Sequence, residues 1–431
     1  MNTDSAASEE SAVSQVSFAD AFRVWLKIGL LSFGGPAAQI ALMNKLVVAE
    51  KNWLTEKQFL SALSFCMLLP GPEAMQIATY AGWRLHGVRG GLTAGLLFVL
   101  PGALVVLVLA AIYALYGNVD WLAGVFFGIK AAVIIIVLEA LLRVARKALT
   151  TTSHWLIASL AFIAIFFLHL PYPLIVVAAA VYGFVFLGSH TDRIHVVAPS
   201  AQRFWSCIVT VLMWLGIWFL PLLALWFAGA NELLLQVGAF FSRLAVVTFG
   251  GAYAVLAYLA QDVVTDFGWL TAGEMMDGLG LAETTPGPLI LVTEFVGFLA
   301  GFREGGMVLA LSAALLTLWV TFAPCFLWIF AGAPYIDWIS DQPRLKGALS
   351  AITAAVVGVI LNLSVWFALH VLFHNVEPVN YGPVTLWSVN SPQWLVVGLT
   401  ALCGLLAFVW HWSITRIILV AAVLGLGFSL W

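Results

Sequence analysis

Two identical tripeptides, Pro70-Gly71-Pro72 and Pro286-Gly287-Pro288, interrupt apolar stretches of the chain. Upstream of each lies a Phe-Gly-Gly run: Phe33, Gly34 and Gly35 followed by Pro36, and Phe249, Gly250 and Gly251. Proline removes a backbone donor and glycine admits unusual backbone angles, so each run breaks a helix. A helix that restarts after such a break aims unpaired N–H groups and a partial positive charge at whatever lies before it, which suits the binding of a small anion. Polar side chains stand close to the breaks: Gln39 and Gln76 in the first pair, Thr248, Thr284, Thr285 and Thr293 in the second. Each threonine has an ordinary alternative, a hydrogen bond to its own helix backbone.

Ionisable residues inside the apolar stretches are few and therefore informative. Lys130 and Arg243 supply positive charge for an anion path, as does Lys27 unless it snorkels to the interface. Glu73, Glu139, Glu283 and Glu294 are the candidates for carrying protons, the coupling ion expected here. Glu73 has a second explanation, because it follows Pro72 in a first helical turn where a carboxylate favours the helix dipole. No Gly-rich nucleotide loop is present, so ATP is not the expected driver. Cys66, Cys207, Cys325 and Cys403 lie singly in separate apolar segments and read as small buried residues, not as a metal or redox centre. No metal and no cofactor is expected.

The elements that must position these residues are membrane helices. The 431 residues are 63% hydrophobic and 9% charged, with mean hydropathy +1.04, against about 25% charged in soluble domains. Runs such as Leu92 to Leu115 do not alternate, which excludes a β-barrel and makes the fold class an all-α polytopic membrane protein in contact with lipid bilayer. A formal net charge of −3 leaves no basic surface for nucleic acid. Residues 1–17 read as a disordered acidic cytoplasmic tail without a targeting peptide.

The chain also contains itself twice. Phe33-Gly34-Gly35, Trp53-Leu54-Thr55 and Pro70-Gly71-Pro72 recur at Phe249, Trp269 and Pro286 with one offset of 216 residues (249 against 33). Gly90-Gly91 matches Gly305-Gly306 at 215, and Ala131-Ala132-Val133 matches Ala354-Ala355-Val356 at 223, which makes Glu139 and Asn362 repeat mates. The expected halves are 18–189 and 236–431, about six apolar segments each, joined by a linker loop and one central helix in 190–235. That gives about thirteen segments. An odd central crossing inverts the second half relative to the first. Lys45, Lys51, Lys57, Arg84, Arg89, Arg143, Arg146 and Lys147 follow segments of the first half, whereas Asp262, Asp266 and Glu274 occupy the matching first loop of the second. The positive-inside rule puts the basic loops and the N-terminus in the cytoplasm. If both early segments crossed fully, the first two basic loops would lie on opposite sides. Re-entrant hairpins turning at Gly34-Gly35-Pro36 and at Pro70-Gly71-Pro72 would put both on one side, and Leu60 to Leu69 spans only about 15 Å of helix. Both arrangements stay open on the sequence.

The stretches "SFGGPAAQIALM", "WLTEKQF", "LLPGPEAMQIATYAGWRLHG", "TFGGAYAVLAY" and "GLAETTPGPLILVTEFVGFLAGF" resemble the chromate ion transporter family, in its long two-domain branch. The resemblance spans nearly the whole chain except the N-terminal tail and central linker. Ala252 stands where the first half has Pro36. The resemblance implies an inner-membrane protein of a bacterium that expels chromate from the cytoplasm and confers chromate resistance, with sulfate as the isosteric competitor. A homodimer is the oligomeric expectation. An ion-driven transporter is the leading reading, an anion channel its rival, and a membrane-embedded reductase the rival from another class.

Overall fold

The computed structural model describes residues 16–117, 119–188, 201–249, 252–336, 342–382 and 384–429. Gly250 and Gly251, and the expected tail up to residue 15, lie outside the described residues. The first half comprises α1 (Phe18–Leu31), α2 (Gly35–Met43) with a π-helical extension (Asn44–Glu50), α3 (Glu56–Cys66), α4 (Glu73–Tyr116), α5 (Asp120–Ala148), α6 (Thr152–Phe166) and α7 (Tyr172–Tyr182). After α8 (Ala201–Phe227), the order recurs as α9 (Glu232–Val247), α10 (Ala252–Gln261) with its π-helical extension (Asp262–Asp266), α11 (Ala272–Thr284), a 3-10 turn (Leu289–Leu291), α12 (Val292–Gly332), α13 (Pro343–Leu372), α14 (Trp394–Phe408) and α15 (Ile414–Ser429). Among the described residues five helices are long and apolar enough to cross a bilayer, and α6, α7, α14 and α15 are shorter apolar helices.

The repeat is visible in local chemistry. Thr55 and Gln58 form a capping box at the start of α3, and Thr271 with Glu274 forms the same box at the start of α11. Both π-helical extensions sit at matching positions before these boxes. The breaks use backbone angles that favour glycine: φ is 84° at Gly34, 77° at Gly35, 119° at Gly71 and 90° at Gly287.

At the breaks the chain doubles back instead of crossing. Trp53, beyond α2, packs on Trp25 of α1 with ring centroids 6.1 Å apart. The mates of these residues, Trp269 and Phe241, meet at 6.4 Å. After the second break α4 returns to the start of α1, where the His86 ring nitrogen lies 2.8 Å from the Val16 carbonyl. A straight passage through either break would separate these partners by most of a bilayer. The re-entrant alternative is therefore the one the fold adopts, with hairpins α1–α2 and α3–α4 in the first half and α9–α10 and α11–α12 in the second. Each half contributes two hairpins and four further apolar segments, which with α8 makes the thirteen counted from the sequence. A single cysteine at Lys51 is expected to react with impermeant reagent from the same face as one at Arg89, and labelling from the opposite face would contradict the hairpin.

The structure corrects one detail of the alignment. Helix α4 folds back on itself at His86 (φ −139°, ψ 29°) and Gly87 (φ 59°, ψ −150°), and α12 does so at Gly305 (φ −147°, ψ 21°) and Gly306 (φ 71°, ψ −160°). The equivalent of Gly305-Gly306 is thus His86-Gly87, not Gly90-Gly91. Gly90 and Gly91 instead let the two limbs of α4 approach, with Gly90 against Gly82 and Gly91 against the Thr79 carbonyl. The shift arises from three extra residues after the second Pro-Gly-Pro, which form the 3-10 turn Leu289–Leu291.

The second limbs of α4 and α12 lie antiparallel, as inversion of the repeats requires: Gly91 faces Phe330 and Gly95 faces Phe326, while Gly102 lies against Pro286 and Leu291 at the second Pro-Gly-Pro break. Around this centre the halves exchange supports. α5 packs on α15, with Gly128 against Ala421 and Gly124 against Gly425, while α13 packs on α6 and α7, with Gly358 against Ala158 and Gly347 against Gly183. Small residues at such crossings let backbones approach where apolar burial gives no advantage over lipid. One element was absent from the sequence reading. The loop after α13 is an antiparallel hairpin, β1 (Phe373–Tyr381) and β2 (Val384–Pro392), docked through the Thr385 N–H on the Phe167 carbonyl at 3.0 Å.

Candidate functional site

The four breaks meet at the centre and are hydrogen-bonded across the two halves. The Gly71 N–H donates to the Thr248 carbonyl at 2.8 Å, and the Gly287 N–H donates to the Ser32 carbonyl at 2.9 Å. Gly71 and Gly287 are repeat mates, and so are Ser32 and Thr248, so the two bonds are one interaction written twice. Ser32 and Thr248 are themselves held alike, their hydroxyls donating back to Ile28 and Leu244 at 2.6 Å. Each Pro-Gly-Pro turn of one half therefore closes the Phe-Gly-Gly break of the other.

Gln39 reinforces one side of this lock. Its Nε2 donates to the Gly287 carbonyl at 2.6 Å and to the Ser32 carbonyl at 3.2 Å, while its Oε1 is buried without a partner. Gln76 donates to the Pro70 carbonyl at 2.7 Å, and its Oε1 is likewise unpartnered. Pro36, Gln39, Pro72, Glu73, Ala74, Pro288 and Leu289 enclose a cavity of about 10 Å³. Three helical starts thus face one point, those of α2, of α4 and of the 3-10 turn before α12. The first N–H groups of a helix lack acceptors within it, so this point is rich in donors. The volume is close to that needed for one water molecule, far below that of a tetrahedral oxyanion. An ion of that size does not fit here unless the surrounding helix starts part.

The remaining expected site residues divide sharply. Phe33 and Phe249 flank the lock without entering the cavity, and Phe33 is half exposed. Thr248, Thr284, Thr285 and Thr293 all donate their hydroxyl protons to their own helix carbonyls, so none offers a donor to an anion in this state. Glu73 occupies the first turn of α4 and lines the cavity. Lys130 does not stand free in an anion path: its Nζ lies 3.2 Å from Asp277 Oδ2, which also accepts from Tyr113 at 2.8 Å. Glu139 is paired with Arg143 at 2.6 Å. Glu283 accepts from Tyr253 at 2.6 Å through Oε1, leaving Oε2 buried and unpartnered. Glu294 is 1% exposed and neither carboxyl oxygen has a partner among the described residues.

Arg243 lies elsewhere, in a cavity of about 580 Å³ lined also by Tyr258, Asp262, Asn362, Trp366 and Trp387. Its repeat mate is Lys27, and both cations precede their break residue, Thr248 or Ser32, by five positions. The inserted β-hairpin supplies Pro378 and Trp387 to this chamber. Tyr172, also in its wall, donates to the Val247 carbonyl at 3.2 Å, so the chamber reaches down to the second Phe-Gly-Gly break.

Sequence reasoning missed Ser32, Tyr113, Tyr253 and Asp277. Ser32 had a signal, since a hydroxyl residue directly precedes Phe-Gly-Gly in both halves. Asp277 had one too, as a carboxylate within an apolar helix. Tyr113 acts through a contact between the halves, with Asp277, and Tyr253 through one between α10 and α11 of the second half, with Glu283; no local pattern announces either.

The comparisons agree with this architecture. The chromate transporter family model matches twice, over residues 19–184 and 235–426. A "Probable chromate transport protein" of Synechococcus elongatus is 30% identical over 387 residues, 89% of this chain and 93% of that protein. A "Chromate transport protein" of Pseudomonas aeruginosa is 29% identical over 99% of this chain and 94% of its own length. Another of that name from Cupriavidus metallidurans is 28% identical over 78% of this chain and 79% of its own length. No solved structure matches. With two matched regions on two inverted repeats, the chain belongs to the chromate transporter family.

Proposed function

We propose that the protein is a secondary active transporter that carries chromate out of the cytoplasm across the bacterial inner membrane and so confers chromate resistance. The observation that carries this reading is the pair of cross-half bonds, Gly71 N–H to Thr248 and Gly287 N–H to Ser32, around a donor-rich point that is too small for the ion. A channel needs a continuous path, whereas a reciprocal lock built from inverted repeats suits alternating access: releasing the first bond frees one pair of breaks and releasing the second frees the other. Helix N-termini favour an anion without demanding a fixed side-chain cage. Sulfate, with the same charge and shape, competes for the same donors. Lys27 and Arg243, repeat mates five residues before their breaks, are the cations that attract the anion in this reading, Arg243 from the wall of the larger chamber. A proton gradient is the driving force in this reading, with buried carboxyls as carriers.

Everted membrane vesicles test it directly. Labelled chromate is expected to accumulate in vesicles containing the protein, to be displaced by excess sulfate, and to respond to an imposed pH gradient. Uptake no greater than in empty vesicles would reject the transport reading, and uptake indifferent to pH would reject the coupling alone.

A further inference from the structure

Helix α12 contains a polar cluster that the oxyanion site does not use. Thr317 and Thr321 are 0% and 1% exposed, and neither hydroxyl has a partner. Ser32, Thr79, Thr93, Thr248, Thr353 and Ser364 instead donate to the carbonyl four residues back, and the two other buried hydroxyls without a partner, Ser242 and Thr400, stand singly on other helices. The two threonines stand on successive turns of the second limb of α12 and face its first limb, since a Cβ at Gly297 would strike Thr317 Oγ1. Glu294 is three residues before Gly297 and Thr321 is four after Thr317. In antiparallel limbs these fall on the next turn of the same interface. Glu294, with both oxygens unpartnered, therefore shares one buried seam with two hydroxyls that have also forgone their usual bonds.

The seam leads to the oxyanion site. Cys325, one turn beyond Thr321, lies over the first Pro-Gly-Pro, and a Cβ at Gly71 would sit 2.9 Å from its Sγ and 3.0 Å from Gln76 Nε2. The unpartnered Gln76 Oε1 continues the line of open polar atoms. Buried polar groups left unpaired are costly and are rare in folded proteins, so a row of them marks a place where something binds. No cationic side chain is paired with Glu294 among the described residues. Hard metal cations take six or more oxygens, and the seam offers two carboxyl and two hydroxyl oxygens. A proton needs one lone pair and a neighbouring acceptor.

We propose that Glu294, Thr317 and Thr321 form a proton site inside α12, separate from the oxyanion cavity. Glu294 takes one proton from water to become the neutral acid and returns it in each cycle, and the two hydroxyls relay that proton along the seam. The inference rests on the ion-coupled reading above and assigns its carrier to Glu294, not to Glu73, Glu139 or Glu283, which line the cavity or hold partners.

The test uses the full-length protein in liposomes with a trapped pH dye. Glu294→Gln, which keeps the shape and resembles the protonated acid, is expected to retain chromate–chromate exchange at equal pH. Its chromate flux under a pH gradient is expected to fall by about tenfold or more, along with chromate-induced proton movement. Thr317→Val with Thr321→Val should slow the gradient-driven flux and spare exchange. Unchanged gradient-driven flux in Glu294→Gln, or a sodium gradient replacing the pH gradient in the wild-type protein, would overturn the proposal. So would loss of exchange together with coupling in a variant that elutes and melts like wild type. Should the wild-type protein move no oxyanion, the transport reading fails, yet the proton site can still be judged by infrared titration. A protonated-carboxyl band that disappears in Glu294→Gln and persists in Glu283→Gln supports the site; the reverse pattern rejects it.

Discussion

Gly71→Ala and Gly287→Ala are each expected to cut chromate transport by about tenfold or more while the protein still reaches the membrane. Their φ angles, 119° and 90°, lie where an L side chain is strained, at a cost of about 1–3 kcal/mol. Space is short as well. The added methyl of Gly71→Ala would meet Cys325 Sγ at 2.9 Å and Gln76 Nε2 at 3.0 Å, and that of Gly287→Ala would meet Leu291 Cδ1 at 3.1 Å and the Gly102 Cα at 3.4 Å. These neighbours are mostly side-chain ends that can shift, so the fold survives. The N–H of the same residue, however, closes the break of the other half, and turning the peptide to relieve φ withdraws it. Since 1.4 kcal/mol is a factor of ten in population, strain of about 1–3 kcal/mol disfavours the closed state by about fivefold to a hundredfold. Gly87→Ala and Gly306→Ala are the controls. They also have positive φ, 59° and 71°, but face open space at the helix tips. Their expected effect is a small loss of stability with normal transport per folded molecule. Wild-type transport in Gly71→Ala and Gly287→Ala would reduce the breaks to packing kinks.

Much of this architecture was legible because it rests on backbone chemistry that repeats. Glycine and proline punctuate a membrane helix strongly enough that two copies at one offset reveal both the breaks and the inverted halves. The same logic identified Gln39, Gln76 and Glu73, which flank the breaks in sequence and remain beside them in space. What escaped was contact between the halves. That Gly71 gives its N–H to Thr248 cannot be read from either segment, because the two are joined only when the inverted repeats interlock. The threonines near the second Pro-Gly-Pro looked available as donors, yet a membrane helix offers its own carbonyls to every hydroxyl first. Thr317 and Thr321 were invisible for the opposite reason, since only the structure shows that they decline this bond. The β-hairpin was obscured by its place in a polar loop between long helices, where its strands carry no core of their own.

Lys130 shows how a charge inside a membrane protein can be misread, and it carries the second large prediction. Asp277 is 2% exposed, and its only cationic partner among the described residues is Lys130. Replacing the lysine alone, as in Lys130→Met, leaves a buried carboxylate that Tyr113 can only half satisfy, and is expected to destabilise the protein by about 3–5 kcal/mol. Lys130→Met combined with Asp277→Leu removes both charges and is expected to recover most of that loss, because an ion pair with a buried carboxylate and its apolar replacement differ little in stability. Thermal unfolding of the three variants in detergent measures this. The pair is also one of the points at which the two halves differ. The mates of Lys130 and Asp277 are Thr353 and Ser61, both neutral, so an ion pair fastens α11 to α5 where the equivalent position of α3 and α13 has only hydroxyls. Inverted repeats with identical contacts would favour neither orientation. On the alternating-access reading proposed above, a charged tie on one side alone would bias the equilibrium towards the state in which that side is shut. The double variant should therefore fold well and still transport differently, with altered ratios of uptake from the two faces of the membrane. A double variant as unstable as Lys130→Met would instead mean that Lys130 acts through packing, and the tie would lose its role in setting direction.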